Sequence, residues 1–233
     1  MYEEKIIPPK KAMPQAQDGT LRKFALRVPE VIYQCSGIMV FGKRIKSLVF
    51  STDLSIIKNV NADAIIAVYP FTPQPIITQA LLLAADIPVF AGVGGGLTKG
   101  QRVVNLAMFA EMQGATGVVL NAPTANAVVQ HVAETIDIPV VVTVARADTD
   151  FDARLQSGTN IFNVSAAAET PAIVRSIRER YPDVPIIATG GPTDESILET
   201  IQAGANAITW TPPSNGEIFR DIMAAYRDNK PHP

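Results

Sequence analysis

The chain has 233 residues, of which 47% are hydrophobic and 18% charged, and a formal net charge of −2. That length suits one complete (β/α)8 barrel with a large core, and the near-neutral balance excludes a basic footprint for nucleic acid or an anionic membrane. One cysteine, Cys35, excludes an intramolecular disulfide; with a polar N-terminus and no long apolar run, a soluble cytoplasmic protein is expected.

Residues 1 to about 30 carry Pro8, Pro9, Pro14 and Pro29 and read as an irregular lead-in with one helical turn near Leu21 to Leu26. Residues 31–42 are apolar around Ser36-Gly37. They fit a hairpin turning at Ser-Gly, or an arm that plugs the barrel floor or covers a neighbouring copy. The latter would make a homo-oligomer. The chain therefore divides into an extension, 1–44, and a barrel, 45–233.

From Ile45 a rhythm begins. Short runs rich in β-branched residues predict eight strands, at 45–50, 64–68, 89–92, 117–121, 140–144, 160–164, 186–189 and 207–210. Amphipathic stretches such as 101–113, 170–180 and 195–203 predict the helices between them. This alternation implies right-handed βαβ units and a parallel sheet, an α/β TIM barrel; an open doubly wound sheet is the alternative. A repeat sharpens the count. Asp86-Ile87-Pro88, Asp137-Ile138-Pro139 and Asp183-Val184-Pro185 precede odd strands, and junctions such as Gly114-Ala115-Thr116 and Gly204-Ala205-Asn206 precede even ones. The tail from Arg227 is polar and expected to fray.

In such a barrel the chemistry sits where strands end. After the seventh strand, Gly190 and Gly191 let backbone N–H groups approach an anion, and Thr193 caps the next helix. After the eighth, Ser214 and Asn215 offer further donors. The competing reading of the glycines is a tight strand-to-helix turn.

The stretch from Pro185 to Thr209 resembles the C-terminal quarter of the phosphate-binding aldolase-type barrels. That group includes 2-keto-3-deoxy-6-phosphogluconate aldolase, thiamine phosphate synthase, N-acetylmannosamine-6-phosphate epimerase and the IMP dehydrogenase barrel. The resemblance implies a phosphorylated metabolite with its phosphate at Gly190 and Gly191. The chain departs from the group at Trp210-Thr211-Pro212-Pro213, where a Gly-Ser or Gly-Thr ending is usual. No predicted strand end carries the lysine of the Schiff-base aldolases.

The remaining candidates each have two readings. Asp53, after the first strand, is a general base or the cap of the following helix. The loop from Gly92 to Gly100 is a flexible lid that closes Lys99 on an anion, or a mobile surface loop. Arg146 holds a carboxylate or phosphate, or pairs with Asp148, Asp150 or Asp152. Those acids lack the glycine and distal glutamate of a calcium loop, and stabilising the next helix explains them better. Tyr69, Asn121, Asn163 and Ser165 are polar where a packed barrel would be apolar; two or more line the pocket, the asparagines suiting neutral hydroxyl or amide recognition, or any one satisfies loop backbone. Trp210 stacks on a ligand or packs in the core. His131 and His232 have surface or packing roles.

No cofactor or metal set is indicated. The leading expectation is an enzyme of lyase or isomerase type acting on a small phosphorylated metabolite. A hydrolase of another type, or a non-catalytic regulatory barrel resembling the glycerol-operon antiterminators, is the alternative.

Overall fold

The computed structural model describes residue 19 and residues 26–231. The helical turn expected over 21–25, most of the lead-in, and His232 lie outside the described residues. A 3-10 turn, Glu30–Gln34, leads to an antiparallel hairpin of β1 (Ile38–Val40) and β2 (Lys43–Ile45). The hairpin turns at Phe41-Gly42, with φ of 45° and 78°, and not at Ser36-Gly37 as the sequence suggested. Two successive positive φ values are what a two-residue turn needs to match strand twist. Ser36-Gly37 serves as an anchor: the Gly37 N–H donates to the Asn206 carbonyl at 2.9 Å, and the Arg44 guanidinium donates to the Ser36 carbonyl at 2.6 Å.

The expected first strand, 45–50, is divided. Ile45 ends the hairpin, and β3 (Ser47–Phe50) begins beyond a break where the Asp63 carboxylate accepts the N–H groups of Lys46 and Ser47 at 2.8 and 3.0 Å. Then follow β4 (Ala64–Ala67), β5 (Val89–Gly94), β6 (Gly117–Leu120), β7 (Val140–Val144), β8 (Ile161–Val164), β9 (Ile186–Thr189) and β10 (Ala207–Trp210). Strands β3 to β10 close into an eight-stranded barrel, each paired parallel with its sequence neighbours and β10 with β3. The helices between them are α1 (Leu54–Lys58), α2 (Pro75–Ala84), α3 (Gln101–Met112), α4 (Asn126–Thr135), α5 (Phe151–Gln156), α6 (Thr170–Arg180) and α7 (Asp194–Gln202), with α8 (Asn215–Arg227) last. This is the (β/α)8 fold, and the open sheet is excluded by closure.

The repeat seen in sequence has a hydrogen-bonding purpose. The carbonyls of Pro88, Pro139 and Pro185 accept the N–H groups of Ile65, Val118 and Phe162 on the preceding strand. Conversely, the side chains of Asn160 and Asn206, just before β8 and β10, accept the N–H groups of Val140 and Ile186 at 2.8 and 2.9 Å. Asp63 does the same for β3. The units β3–β4, β7–β8 and β9–β10 thus close their own lower edge through a side chain, where unpaired N–H groups would otherwise be costly.

Strand residues alternate between two cores. Outward residues such as Val49, Ile65, Val164, Ala188 and Ile208 pack against the helices. Inward residues such as Leu48, Ile66, Phe90, Val119, Val141, Ile161 and Ile187 fill the barrel, and Ile38, Val40 and Ile45 of the hairpin join this same cluster. The described part of the N-terminal arm is therefore the plug of the barrel floor. Its apolar residues are committed to its own chain, with Met39 and Phe41 left exposed. Among the described residues, no helix is long and apolar enough to cross a membrane.

Candidate functional site

Following the inward positions upward leads to the site. Beyond Leu48, Ile66, Val119, Val141, Ile161, Ile187 and Ala207, the next inward residues are Phe50, Val68, Asn121, Thr143, Asn163, Thr189 and Thr209. The register confirms the layer: Thr143 stands beside Asn163, and Thr189 beside Thr209. With Ser165 and Thr211 one step higher, these residues line a cavity of about 280 Å³ at the strands' C-terminal ends. Its wall from β6 to β10 is hydroxyl and amide; its wall from β3 and β4 is Phe50, Ile66 and Val68. No residue lining this deep lobe is charged.

Two further lobes share Val68 and Asn121 with the deep one. An outer lobe of about 570 Å³ lies between the turn from β3 into α1, Tyr69-Pro70, and the segment from Thr211 to Asn215. A narrow lobe of about 190 Å³ separates Tyr69 to Pro73 from Gly96 to Thr98. The three adjoin as one cleft, and Asp53 is the one charged residue among those lining it.

Asp53 is the N-cap of α1. Its Oδ1 accepts the Ser55 N–H at 2.8 Å, the Ser55 hydroxyl at 2.7 Å and the Ile56 N–H at 3.3 Å. Its Oδ2 accepts the Asn215 side-chain amide at 2.5 Å, which ties the start of α8 to that of α1. The Ser55 hydroxyl first, then the backbone N–H groups, hold the carboxyl below its usual range. Asp53 is thus ionised and a weak base, although it borders the outer lobe.

The two electrophilic partners expected for it are not brought to the cleft. Arg146 is exposed and grips Asp148 with two bonds, Nε to Oδ1 at 2.9 Å and Nη2 to Oδ2 at 2.7 Å. Lys99 is exposed at the foot of α3 and lines none of the three lobes. The start of its loop is fixed in place. β5 extends to Gly94, and the turn beyond is pinned by the Gly95 N–H donating to the Thr98 carbonyl at 3.0 Å. Gly95, at φ 104°, lies so close to Thr124 and the Asn121 backbone that a side chain there would collide.

The glycine pair after β9 is explained by packing. A Cβ on Gly190 would lie 2.7 Å from Ile197 and 2.8 Å from Ile208; Gly191 adopts φ +82° beside Ser196. This is the tight turn that competed with the anion cradle. The helix starts nearby also carry their own negative charge. Asp194 and Glu195 occupy the first turn of α7. At α8 the Glu217 carboxylate accepts the Ser214 N–H at 2.8 Å and its hydroxyl at 2.7 Å. A phosphate at Gly190, Gly191 or Ser214 would meet these carboxylates at the positive ends of the two helices.

The neutral candidates fare better. Tyr69, Asn121, Asn163 and Ser165 all line the cleft. Trp210 faces outward into the helix-packed core, so its neighbours Thr209 and Thr211 hold the mouth. The period-two alternation from Ile187 to Thr189 and from Ala207 to Thr211 was the signal for these threonines, and for Phe50 and Val68, which sequence reasoning did not name.

No protein-family model matches the chain, and no curated protein matches it. Solved structures do. 2,3-Dimethylmalate lyase, a PEP mutase/isocitrate lyase superfamily member, is 12% identical with a TM-score of 0.61, covering 91% of this chain and 88% of its own. Phosphonopyruvate hydrolase, in complex with oxalate and Mg++, is 12% identical with a TM-score of 0.59, covering 80% and 84%. The 4-hydroxy-tetrahydrodipicolinate synthase of Methylacidiphilum fumariolicum SolV is 16% identical with a TM-score of 0.57, covering 81% and 75%. At such identities the likeness establishes the barrel fold. It does not support the particular aldolase-type members that the stretch from Pro185 to Thr209 resembles.

The hydrolase's magnesium prompts a test of fit. A magnesium ion is held through carboxylates and water. Here the cleft's single carboxylate has both oxygens occupied by N–H and O–H donors, and among the described residues no group of three or more His, Cys, Asp or Glu could hold a metal. The donor set does not fit, and no step is routed through a metal.

Proposed function

We propose that the protein is an enzyme of small-molecule metabolism that works in the mouth of its barrel, with lyase- or isomerase-type chemistry. The observation that carries this reading is the convergence, at the C-terminal ends of the strands, of an uncharged hydrogen-bonding layer and one carboxylate. Barrels of this kind place their active sites at that face. The similarity in fold to a lyase, a hydrolase and a synthase supports enzymatic use of the mouth while leaving the bond that is broken open.

In this reading the substrate spans the deep and outer lobes. Asn163, Thr209 and their neighbours position it, and Asp53 accepts a substrate hydroxyl in place of the Asn215 amide. In retro-aldol-type cleavage that hydroxyl gives its proton to Asp53 as it becomes a carbonyl, the C–C bond breaks, and the electron pair passes into the substrate's own second carbonyl as an enolate that solvent protonates. A phosphate on the substrate is a secondary feature: it would reach Gly190 and Gly191 only against Asp194 and Glu195.

The test is turnover of a panel of hydroxylated and phosphorylated metabolites, followed by NMR, in the native protein and in Asp53→Asn. Asparagine caps helices as well as aspartate does, so the variant keeps the fold and loses the charge. Turnover reduced by about 10²-fold or more is expected, with ligand binding retained. A panel that binds without turnover would favour the non-catalytic barrel, a reading supported by the occupation of both Asp53 oxygens.

A further inference from the structure

Among the described residues, five buried side-chain polar atoms have no partner, and three of them belong to residues lining the cleft: Thr98 Oγ1, Asn163 Oδ1 and Thr209 Oγ1. Asn163 is 8% exposed and Thr209 6%. Both sit in the deep lobe on inward positions, and neither is short of neighbours that could have been polar. Asn163 turns its amide nitrogen to Thr143 Oγ1 at 3.3 Å, leaving Oδ1 free. Beside Thr209, the Thr189 hydroxyl donates to Ser165 Oγ at 3.2 Å. Such oxygens unpaired inside a folded protein are costly, so the lobe is suited to a ligand that pairs with them in place of water.

The chemistry of that group is narrow. A carboxylate or phosphate would enter the deep lobe with no cation among the lining residues to balance it. An ammonium would pair with both oxygens but would be a buried charge without a counter-ion, because no carboxylate lines the lobe. Neutral hydroxyls suit both atoms: one donates to Asn163 Oδ1, and another accepts from or donates to the Thr209 hydroxyl. On the opposite side Phe50 and Val68 present an apolar surface suited to the C–H face of a carbon chain or ring.

We propose that the deep lobe is a hydroxyl-recognition subsite, read by Asn163 and Thr209, and that the ligand is a small polyhydroxylated, carbohydrate-type molecule inserted hydroxyl-first. Any anionic group on it lies outward. This deepens the enzyme reading and rests on it only for the location of the site. Thr209 is a specificity residue: its hydroxyl selects what enters, while removing it leaves a Val-shaped surface.

The test is calorimetric titration of the full chain with glycerol, erythritol and D-xylose, against oxalate and inorganic phosphate. The expected result is polyol binding in preference to both anions. Thr209→Val and Asn163→Leu should each weaken it by roughly 5- to 100-fold, the cost of one unpaired buried polar group. Thr209→Ser should restore it. Thr209→Val should keep or raise the melting temperature, because it removes an unpaired oxygen. Three results would overturn the proposal: oxalate or phosphate bound more tightly than any polyol, polyol binding unchanged in both variants, or no polyol bound at millimolar concentration. Polyol binding sensitive to both variants but without turnover supports the subsite and refutes the enzyme reading. Turnover with KM unchanged in Thr209→Val does the reverse.

Discussion

The two ends of this barrel are built from the same alternation of inward residues and treated in opposite ways. At the floor, the inward positions meet hydrocarbon from the chain's own arm: Ile38, Val40 and Ile45 close over Leu48, Ala64, Phe90 and Ile161. At the mouth, two residues beyond Val119, Val141, Ile161, Ile187 and Ala207, the inward positions are Asn121, Thr143, Asn163, Thr189 and Thr209, and they line a cavity instead of a core. The floor is a core and belongs to stability. The mouth is a surface held in a rigid ring, and two of its most deeply buried oxygens have no protein partner.

That contrast can be broken first at the floor, where the largest effect is expected. Ile45 is 2% exposed and packs inside the barrel. Ile45→Ala should cost about 2–5 kcal/mol in denaturant unfolding. A loss below about 1 kcal/mol would mean that the hairpin is an ornament and not a plug. Gly190→Ala comes next. The added methyl would meet Ile197 and Ile208 at 2.7 and 2.8 Å, and overpacking of this kind costs about 1–3 kcal/mol. Because the effect is on packing, the unfolding midpoint should fall equally with and without phosphate in the buffer.

The mouth should respond in the opposite sense. Thr209→Val replaces a hydroxyl by a methyl of the same shape, and unfolding of the ligand-free protein should change by no more than about 1 kcal/mol, toward greater stability. A loss comparable to that of Ile45→Ala would show that the mouth layer is structural after all.

A smaller effect separates Asp53's cap role from its charge. Its hydrogen bonds lower its folded pKa, so it contributes stability above its unfolded value, near ~3.9. That contribution is lost as pH falls through the lower, folded value. In Asp53→Asn the acid-limb slope of stability against pH should be shallower by that one group, while stability at neutral pH stays close to native. An unaltered slope would contradict the hydrogen-bonded state described for the carboxylate.

Legibility followed the physics of each feature. The βα rhythm was plain because buried parallel strands need unbroken β-branched runs such as Val140 to Val144, and the Asp-Ile-Pro junctions marked where they begin. The plug was visible only as apolar content. Its turn position depended on Phe41 adopting positive φ, for which a bulky residue carries no local signal. Asn163, Asn121, Ser165 and Tyr69 were legible as polar groups at strand ends, whereas Thr209 was hidden beside Trp210, the more conspicuous residue. Arg146, Lys99 and the glycine pair are ambiguous in sequence for a common reason: a charged or flexible residue near a strand end lines the cleft only if it turns inward. Arg146 has Asp148 two residues away, and Gly190 is required by Ile197 and Ile208, contacts that linear spacing does not show.

The most direct measurement is a crystal structure of the protein soaked with erythritol. The account predicts ligand hydroxyls within hydrogen-bonding distance of Asn163 Oδ1 and of Thr209 Oγ1, with the carbon chain against Phe50. Erythritol seated away from the mouth, or a mouth occupied by an anion from the same solution, would contradict it.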